Sequence, residues 1–328
     1  MKKQIFLSLA ALVIATMSYA QSNLVATLSH EGEISVFHGA SSLGQALEAA
    51  DHGDIITLAS GRYNAANITK AITLRGAGME EDTSTGTFRT QIVGDFDINI
   101  PDSIDEHLTI EGIYHENSIY MRGVLSNAML QKCRFASLNY SDYYNTVSSL
   151  TCINCQITSS ISLPQNTSAT FINSIVNYPS NANGNMEFSN CLITNVVSYI
   201  KNSAFTNCLF NIENNYGYKV LSATNSAVNC VGCSNTNNSP FKDLPMSTNK
   251  SISLEEFNTL FKEGSFYELT DEAKAKYMGL DGTEIGIYGG NLPWNTRILS
   301  PQITKCNVAA KTTADGKLSV DIEVKAAE

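Results

Sequence analysis

After its first twenty residues the chain has no apolar run long enough to cross a membrane, and it carries little positive charge. Two of its 21 Lys and Arg residues, Lys2 and Lys3, fall in that leading segment. The remainder of the chain holds 19 basic against 31 acidic side chains, a net charge of −12. Such a balance excludes the basic stripe that displaces counterions from nucleic-acid phosphates. It also repels polyanionic sugars unless a cation bridges them. Motifs for metal and nucleophile chemistry are missing too. The histidines, His30, His38, His52, His107 and His115, show no H-x-x-x-H spacing. No G-x-S-x-G elbow marks a serine nucleophile. The run GIYGG, Gly286 to Gly290, is followed by neither the Lys nor the helix of a phosphate loop.

The leading segment, MKKQIFLSLAALVIATMSYA, joins two lysines, an uncharged apolar run and a small-residue site at Ser18-Tyr19-Ala20. It reads as a secretory signal peptide over residues 1–20, too short for a membrane span. The next residue is Gln21, not Cys, so the bacterial lipid-anchor signal is missing. The mature chain is therefore expected to be secreted, periplasmic or at the cell surface, without membrane insertion. From Asn139 to Asn249 charge is scarce while Asn, Ser and Thr abound. Short polar side chains that compete with helix backbone suit turns and stacked strands.

Two C-x-x-C spacings, Cys152-Ile-Asn-Cys155 and Cys230-Val-Gly-Cys233, raise the question of a four-thiolate zinc site. Aligning the cysteine segments gives another answer. Leu130-Gln-Lys-Cys133, Cys152-Ile-Asn-Cys155, Phe171-Ile-Asn-Ser174, Phe188-Ser-Asn-Cys191, Phe205-Thr-Asn-Cys208 and Ala227-Val-Asn-Cys230 share one phrase: apolar, variable, usually Asn, then Cys or Ser. The third position recurs at Lys132, Asn154, Asn173, Asn190, Asn207 and Asn229, in steps of 22, 19, 17, 17 and 22 residues. Ile110-Glu-Gly112-Ile113 and Leu74-Arg-Gly76-Ala77 fit the same frame, and Ile92-Val-Gly94-Asp95 fits it less well.

A period near 20 with short β-prone runs marks a solenoid. Gly and Asn both tolerate the left-handed backbone of a sharp corner. Each phrase is then a corner between an inward apolar and an inward small residue. Asn154, Asn173, Asn190, Asn207 and Asn229 should stack as an asparagine ladder at about 4.8 Å per rung. Cys155 and Cys230, four rungs apart, would be separated by roughly 19 Å, far beyond one zinc with its ~2.3 Å Zn–S bonds. No metal is expected there. The cysteine column reads as small, mildly apolar core residues with free thiols, Cys191 and Cys208 being the one pair left open as a disulfide.

On these phrases the chain resembles the right-handed parallel β-helix proteins of the pectin lyase-like superfamily. LGQALEAADHGDIITLASGRY, residues 43–63, looks like that family's opening: a capping helix, a Gly-Asp turn and a first strand. The resemblance implies an all-β, single-stranded right-handed parallel β-helix over residues 21–250 with its N-terminal cap. Residues 251–300 read as a C-terminal segment with short helices, beginning at Ser253-Leu-Glu-Glu-Phe257 and after Thr270. Residues 301–328 read as a C-terminal strand pair whose free edge suits an oligomer. The position after the small-residue column, Tyr114, Arg134, Gln156, Ile175, Leu192, Leu209 and Val231, faces outward by alternation. Four consecutive apolar residues should not face water, so residues 251–300 are expected to cover them.

In catalytic members of the superfamily, carboxylates on stacked strands hold Ca²⁺ beside a proton-abstracting Arg or Lys, and the related hydrolases pair aspartates. No such set matches. The nearest is the acidic group Asp95, Asp97, Asp102, Asp105, Glu106, Glu111 and Glu116, of which Asp95 and Asp97 are candidates for a weak calcium site. Tyr114, Tyr120, Tyr140, Tyr143 and Tyr144, with Arg122 and Arg134, are candidate ligand-binding residues, since tyrosine faces beside Asn and Ser suit sugar rings. The chain thus reads as an exported, non-catalytic protein presenting an elongated surface to a polysaccharide or a cell-envelope protein. The alternative is a polysaccharide lyase or glycoside hydrolase whose carboxylates converge from separate coils, with Ca²⁺ as cofactor only in that case.

Overall fold

The computed structural model describes residues 24–83, 86–100, 106–123, 127–140, 149–163, 167–179, 185–195, 200–212, 221–234, 239–244, 248–298, 302–308, 311, 316–317 and 320–325. The signal peptide, Asp102, Asp105, Tyr143 and Tyr144 lie outside them. The chain divides after Thr296 into two compact units. The first is a parallel β-solenoid of about eight turns with short helices near its C-terminal end. The second contains an antiparallel strand pair, Gln302–Val308 with Val320–Lys325.

One sheet of the solenoid runs in register through Thr73–Arg75, Leu108–Glu111, Asn127–Gln131, Ser149–Ile153, Ser168–Ile172, Asn185–Ser189, Ala204–Thr206 and Ser226–Val228. Its inward column aligns Leu74, Ile110, Leu130, Cys152, Phe171, Phe188, Phe205 and Ala227. The three phenyl rings stack at 4.8 and 4.7 Å, within 11° of parallel, which is the strand spacing expressed in side chains. A second sheet starts at the corner, from Gly61–Asn64 through Ile113–His115 and Gln156–Ser162 to Lys250–Ile252. Phe96–Ile100, Ser118–Gly123 and Ser137–Tyr140 form a further face beside it.

The corners from Gly112 to Asn229 are left-handed. Lys132, Asn154, Asn173, Asn190, Asn207 and Asn229 have φ between 46° and 54°, and Gly112 has φ 68°. Gly76 is in the column but outside that region. It is glycine for another reason: a Cβ there would meet the Gly112 carbonyl oxygen at 2.4 Å. The Ile92-Val-Gly94 phrase belongs to the second sheet, where Ile92 pairs with His115.

The cysteine column differs in nature from its sequence reading. All seven cysteines with described side chains are free and buried, Cys191 and Cys208 among them. Their thiols are hydrogen-bonding groups as well as small side chains. Cys133, Cys155, Cys191, Cys208 and Cys230 each direct a thiol between two carbonyls: that of the inward column one coil earlier, of Ile110, Leu130, Phe171, Phe188 and Phe205, at 3.2–3.6 Å, and that two residues back, of Gln131, Ile153, Ser189, Thr206 and Val228, at 3.2–3.5 Å. Ser174 likewise donates to Cys152 O at 3.3 Å and Asn249 to Ala227 O at 2.8 Å. In return the column accepts the amides of the preceding corner: Cys155 N donates to Ser174 Oγ, Cys191 N to Cys208 Sγ and Cys230 N to Asn249 Oδ1. An alanine column would remove the acceptors that the amides of Cys155, Cys191 and Cys230 use.

The ends are closed by local structure. The hairpin of Val25–His30 and Glu33–His38 turns through Glu31 (φ 49°) and Gly32 (φ 90°) and joins the first strand of the stack. The helix Ser42–Ala49 buries Leu43, Ala46 and Leu47. Ser41 sits at its N-cap but its side chain does not bond the helix amides; its hydroxyl accepts from Asn64 Nδ2.

Residues 252–294 lie over the outer wall. Ile175, Leu192, Leu209 and Val231 are at most 4% exposed, packed with Phe257, Leu260, Leu269, Ala273, Ile285, Ile287 and Trp294. Helices Leu254–Asn258 and Asp271–Lys276 in this cover are capped by Ser253 and Thr270, whose hydroxyls accept from Glu256 N and Ala273 N. Asn154, Asn173, Asn190 and Asn207 are buried and Asn229 is half-buried, and the ladder serves as the rail for the strap of residues 278–293. Asn229 Nδ2 donates to Met278 O and to Asn207 Oδ1, and Asn207 Oδ1 also accepts from Leu280 N. Asn173 Nδ2 donates to Ile287 O at 2.8 Å and Gly289 O at 2.7 Å, and Asn154 Nδ2 reaches Pro293 O at 3.5 Å. The GIYGG run lets backbone pass this close, since a Cβ on Gly290 would lie 2.5 Å from Asn190 Nδ2.

Asn173 therefore supports both the corner and the strap, and two substitutions separate these roles. Asn173→Gly keeps the left-handed corner and loses both strap bonds, and is expected to cost about 1–3 kcal/mol in urea unfolding. Asn173→Ala should cost about 1 kcal/mol more, from the strained φ. Equal stability of the two variants would contradict the corner assignment.

Candidate functional site: two polar faces on the uncovered coils

The outward column of the second sheet changes character midway. Gln91, Tyr114, Arg134 and Gln156 are in register and polar; Ile175, Leu192, Leu209 and Val231 continue the same column and are covered. Tyr114 is half-buried at the centre of the polar part. The Arg89 guanidinium carbon lies 3.6 Å from its ring centroid and that of Arg134 5.6 Å, both within cation–π range. Glu116 Oε1 accepts from Gln91 Nε2 at 3.1 Å and from the Tyr114 hydroxyl at 3.5 Å, fixing the ring's polar end.

The adjoining face carries the second group. Phe96, Ile98, Ile119, Met121 and Leu138 point into the core, so their neighbours Asp97, Asn99, Tyr120, Arg122 and Asn139 point out. Asp97, Tyr120 and Asn139 share one row across three strands, and Asn99 pairs with Arg122 in the next. Arg122 Nη2 sits 3.5 Å from Asp97 Oδ2, an ion pair with side chains 44% and 20% exposed. Contacts at that exposure orient groups more than they stabilise the fold.

The sequence-derived candidates thus divide. Tyr114 and Arg134 meet on one face; Asp97, Tyr120 and Arg122 meet on the other. Tyr140 ends the strand Ser137–Tyr140, and its side chain is outside the described ones. Asp95 is exposed ahead of Phe96–Ile100. Asp95 and Asp97 do not make a calcium ligand set by themselves: Asp97 is engaged by Arg122, Glu111 by Arg75 at 3.6 Å and Glu116 by Gln91. Among the described residues no three His, Cys, Asp or Glu side chains converge as a metal group. Arg89 is not visible as a partner in sequence because the coil between Gly76 and Gly112 is long and nothing in it marks which residue returns to Tyr114.

Comparison with protein-family models, with curated proteins and with solved structures finds no match to this chain. The architecture is therefore that of a parallel β-solenoid without a family assignment.

The thiols are not part of either face. Burial pushes the Cys133, Cys155, Cys208 and Cys230 thiols well above the usual cysteine range, which removes the thiolate that alkylation and metal binding require. In a Cys306→Ser background the folded protein should resist iodoacetamide at pH 8 and label at its seven other cysteines on denaturation, and a chelator should leave its melting temperature unchanged. Rapid native labelling of any column cysteine, or destabilisation by chelator, would contradict the closed column.

Proposed function

We propose that the chain is an exported, non-catalytic protein that binds a polysaccharide across these two polar faces. The observation carrying this reading is the row Asp97, Tyr120 and Asn139 with Arg122 and Asn99 beside it, held outward on three parallel strands. A half-buried tyrosine offers a ring face and a hydroxyl, and the amides and the ion pair around it offer donors and acceptors. That mixture suits a hydroxyl-rich, extended ligand better than a compact apolar one. Strands stacked at about 4.8 Å repeat such groups along the solenoid, as a polymer requires. The leading twenty residues support export. The coil phrasing supports descent from the pectin lyase-like superfamily, and the dispersed described carboxylates support loss of its chemistry.

Affinity electrophoresis of the mature chain through gels containing individual neutral and acidic polysaccharides tests the reading. At least one polymer should retard the protein, and Tyr120→Ala and Arg122→Ala should each weaken retardation by about fivefold or more, the range of residues central to an interface. Absence of retardation by every polymer, or retardation indifferent to both variants, would overturn it. Release of unsaturated or reducing sugar would replace it with a lyase or hydrolase.

A further inference from the structure

The N-terminal cap closes the core but leaves one sheet edge open. Among the described residues the strand Glu33–His38 ends an eleven-stranded sheet and pairs on one side only, with Val25–His30. Two hydrogen bonds fix the direction of its free groups: Gly39 N donates to Leu24 O, and Ala59 N donates to Val25 O. Such directions alternate along an antiparallel ladder. Glu33, Ser35 and Phe37 therefore bond inward to Leu28 and its alternate neighbours, and Ile34, Val36 and His38 hold their amides and carbonyls at the free edge. Protein edges of this kind are usually blunted by Pro, Lys, a bulge or a cover. The run EISVFH contains neither Pro nor Lys, and its register with Val25–His30 is unbroken. Ile34 and Val36 are also 69% and 51% exposed, on the same side of the sheet. An unpaired backbone and exposed apolar side chains thus fall on the same positions.

We infer that this edge is a dimerisation surface, on which a second copy of the chain pairs antiparallel through Glu33–His38 about a two-fold axis at Ser35. A two-fold interface must be complementary to itself, and this strand is. With Ser35 opposite Ser35, Ile34 of each copy lies opposite Val36 of the other, and both residues bring outward amides and carbonyls to the pair. Shifting the register by two residues sets Ile34 against His38, or Val36 against Gly32. Only the register at Ser35 gives each apolar residue an apolar partner. It also places Glu33 opposite Phe37 and Glu31 opposite Gly39, so no carboxylate faces its own copy. Beyond Val25–His30 the sheet continues through Ile55–Leu58 and Thr73–Arg75, away from the edge, so the two stacks extend in opposite directions. One short strand is a small interface, and the dimer is accordingly concentration-dependent.

Sedimentation velocity of the mature chain from about 1 to 500 µM should show monomer converting to dimer. Each interface residue occurs twice, so Val36→Lys and Val36→Pro should each weaken the dimer about tenfold or more. The proline removes an outward amide and leaves the ladder to Val25–His30 intact. Leu280→Lys, at a strap residue 64% exposed, should leave dimerisation unchanged. Circular dichroism of each variant checks folding. In the Cys306→Ser background Ser35→Cys should form a disulfide-linked dimer on mild oxidation, because residues directly opposite at a non-hydrogen-bonded pair have Cα atoms about 4.5 Å apart. Ile34→Cys, offset by two residues from its copy, should not. A monomer at every concentration, a dimer indifferent to both Val36 variants, equal weakening by Leu280→Lys, or cross-linking through Ile34→Cys but not Ser35→Cys would overturn the edge pairing.

Discussion

The fold depends on a left-handed corner whose inward polar groups are satisfied by the next coil. At φ near 50° the chain turns sharply enough to place an apolar residue inward before the corner and a small residue inward after it. That geometry turns the amide after the corner toward the core, where Ser174, Cys208 and Asn249 accept those of Cys155, Cys191 and Cys230. Because a buried unpaired backbone group costs about 1–3 kcal/mol, a stack of unpaired corners would not persist. The Cys, Ser and Asn column removes the cost by accepting an amide and donating to a carbonyl of the coil below. Each coil thus completes its neighbour, and a single coil is incomplete by construction.

The same corner residue acts outward. Asparagine tolerates the left-handed region because its side chain is short and polar, and that side chain is then free to bond the strap from Met278 to Pro293. Glycine would serve the corner equally well but would offer the strap nothing. Asn at four of the corners, Asn154, Asn173, Asn207 and Asn229, therefore meets two constraints, one on φ and one on docking, with one residue type.

Much of this architecture is legible in the sequence. The period, the aligned phrases and the apolar outer positions are all local signals repeated many times, and repetition makes a weak signal readable. The hydrogen-bonding duty of the cysteines is less visible, since Cys is also one of the commonest buried apolar residues and sequence cannot tell which property a position uses. Gly76 reads as a left-handed corner because glycine satisfies close approach and positive φ alike. The pairing of Arg89 with Tyr114 is not legible at all: it is made by a loop that occurs once, so no repeat frames it. Sequence hides contacts that occur once.

The boundary between covered and open wall tracks the corner column. Strap residues engage the column in reverse order, Met278 and Leu280 at Asn229 and Asn207, Ile287 and Gly289 at Asn173, Pro293 at Asn154. Below Asn154 the corners are Lys132 and Gly112, which present no amide to a strap. The outward column turns from Ile175 to Gln156, Arg134 and Tyr114 one coil earlier, within the coil of Asn154. Rail and wall are separate positions in each coil, one needing left-handed φ and the other only alternation, and the rail runs one coil further: Asn154 still bonds Pro293 where the wall is already Gln156, whose buried Oε1 has no partner among the described residues. An apolar wall without a rail would be left exposed, and a polar wall beneath a strap would be buried unpaired. The strap thus ends on the coil where the outer wall first turns polar.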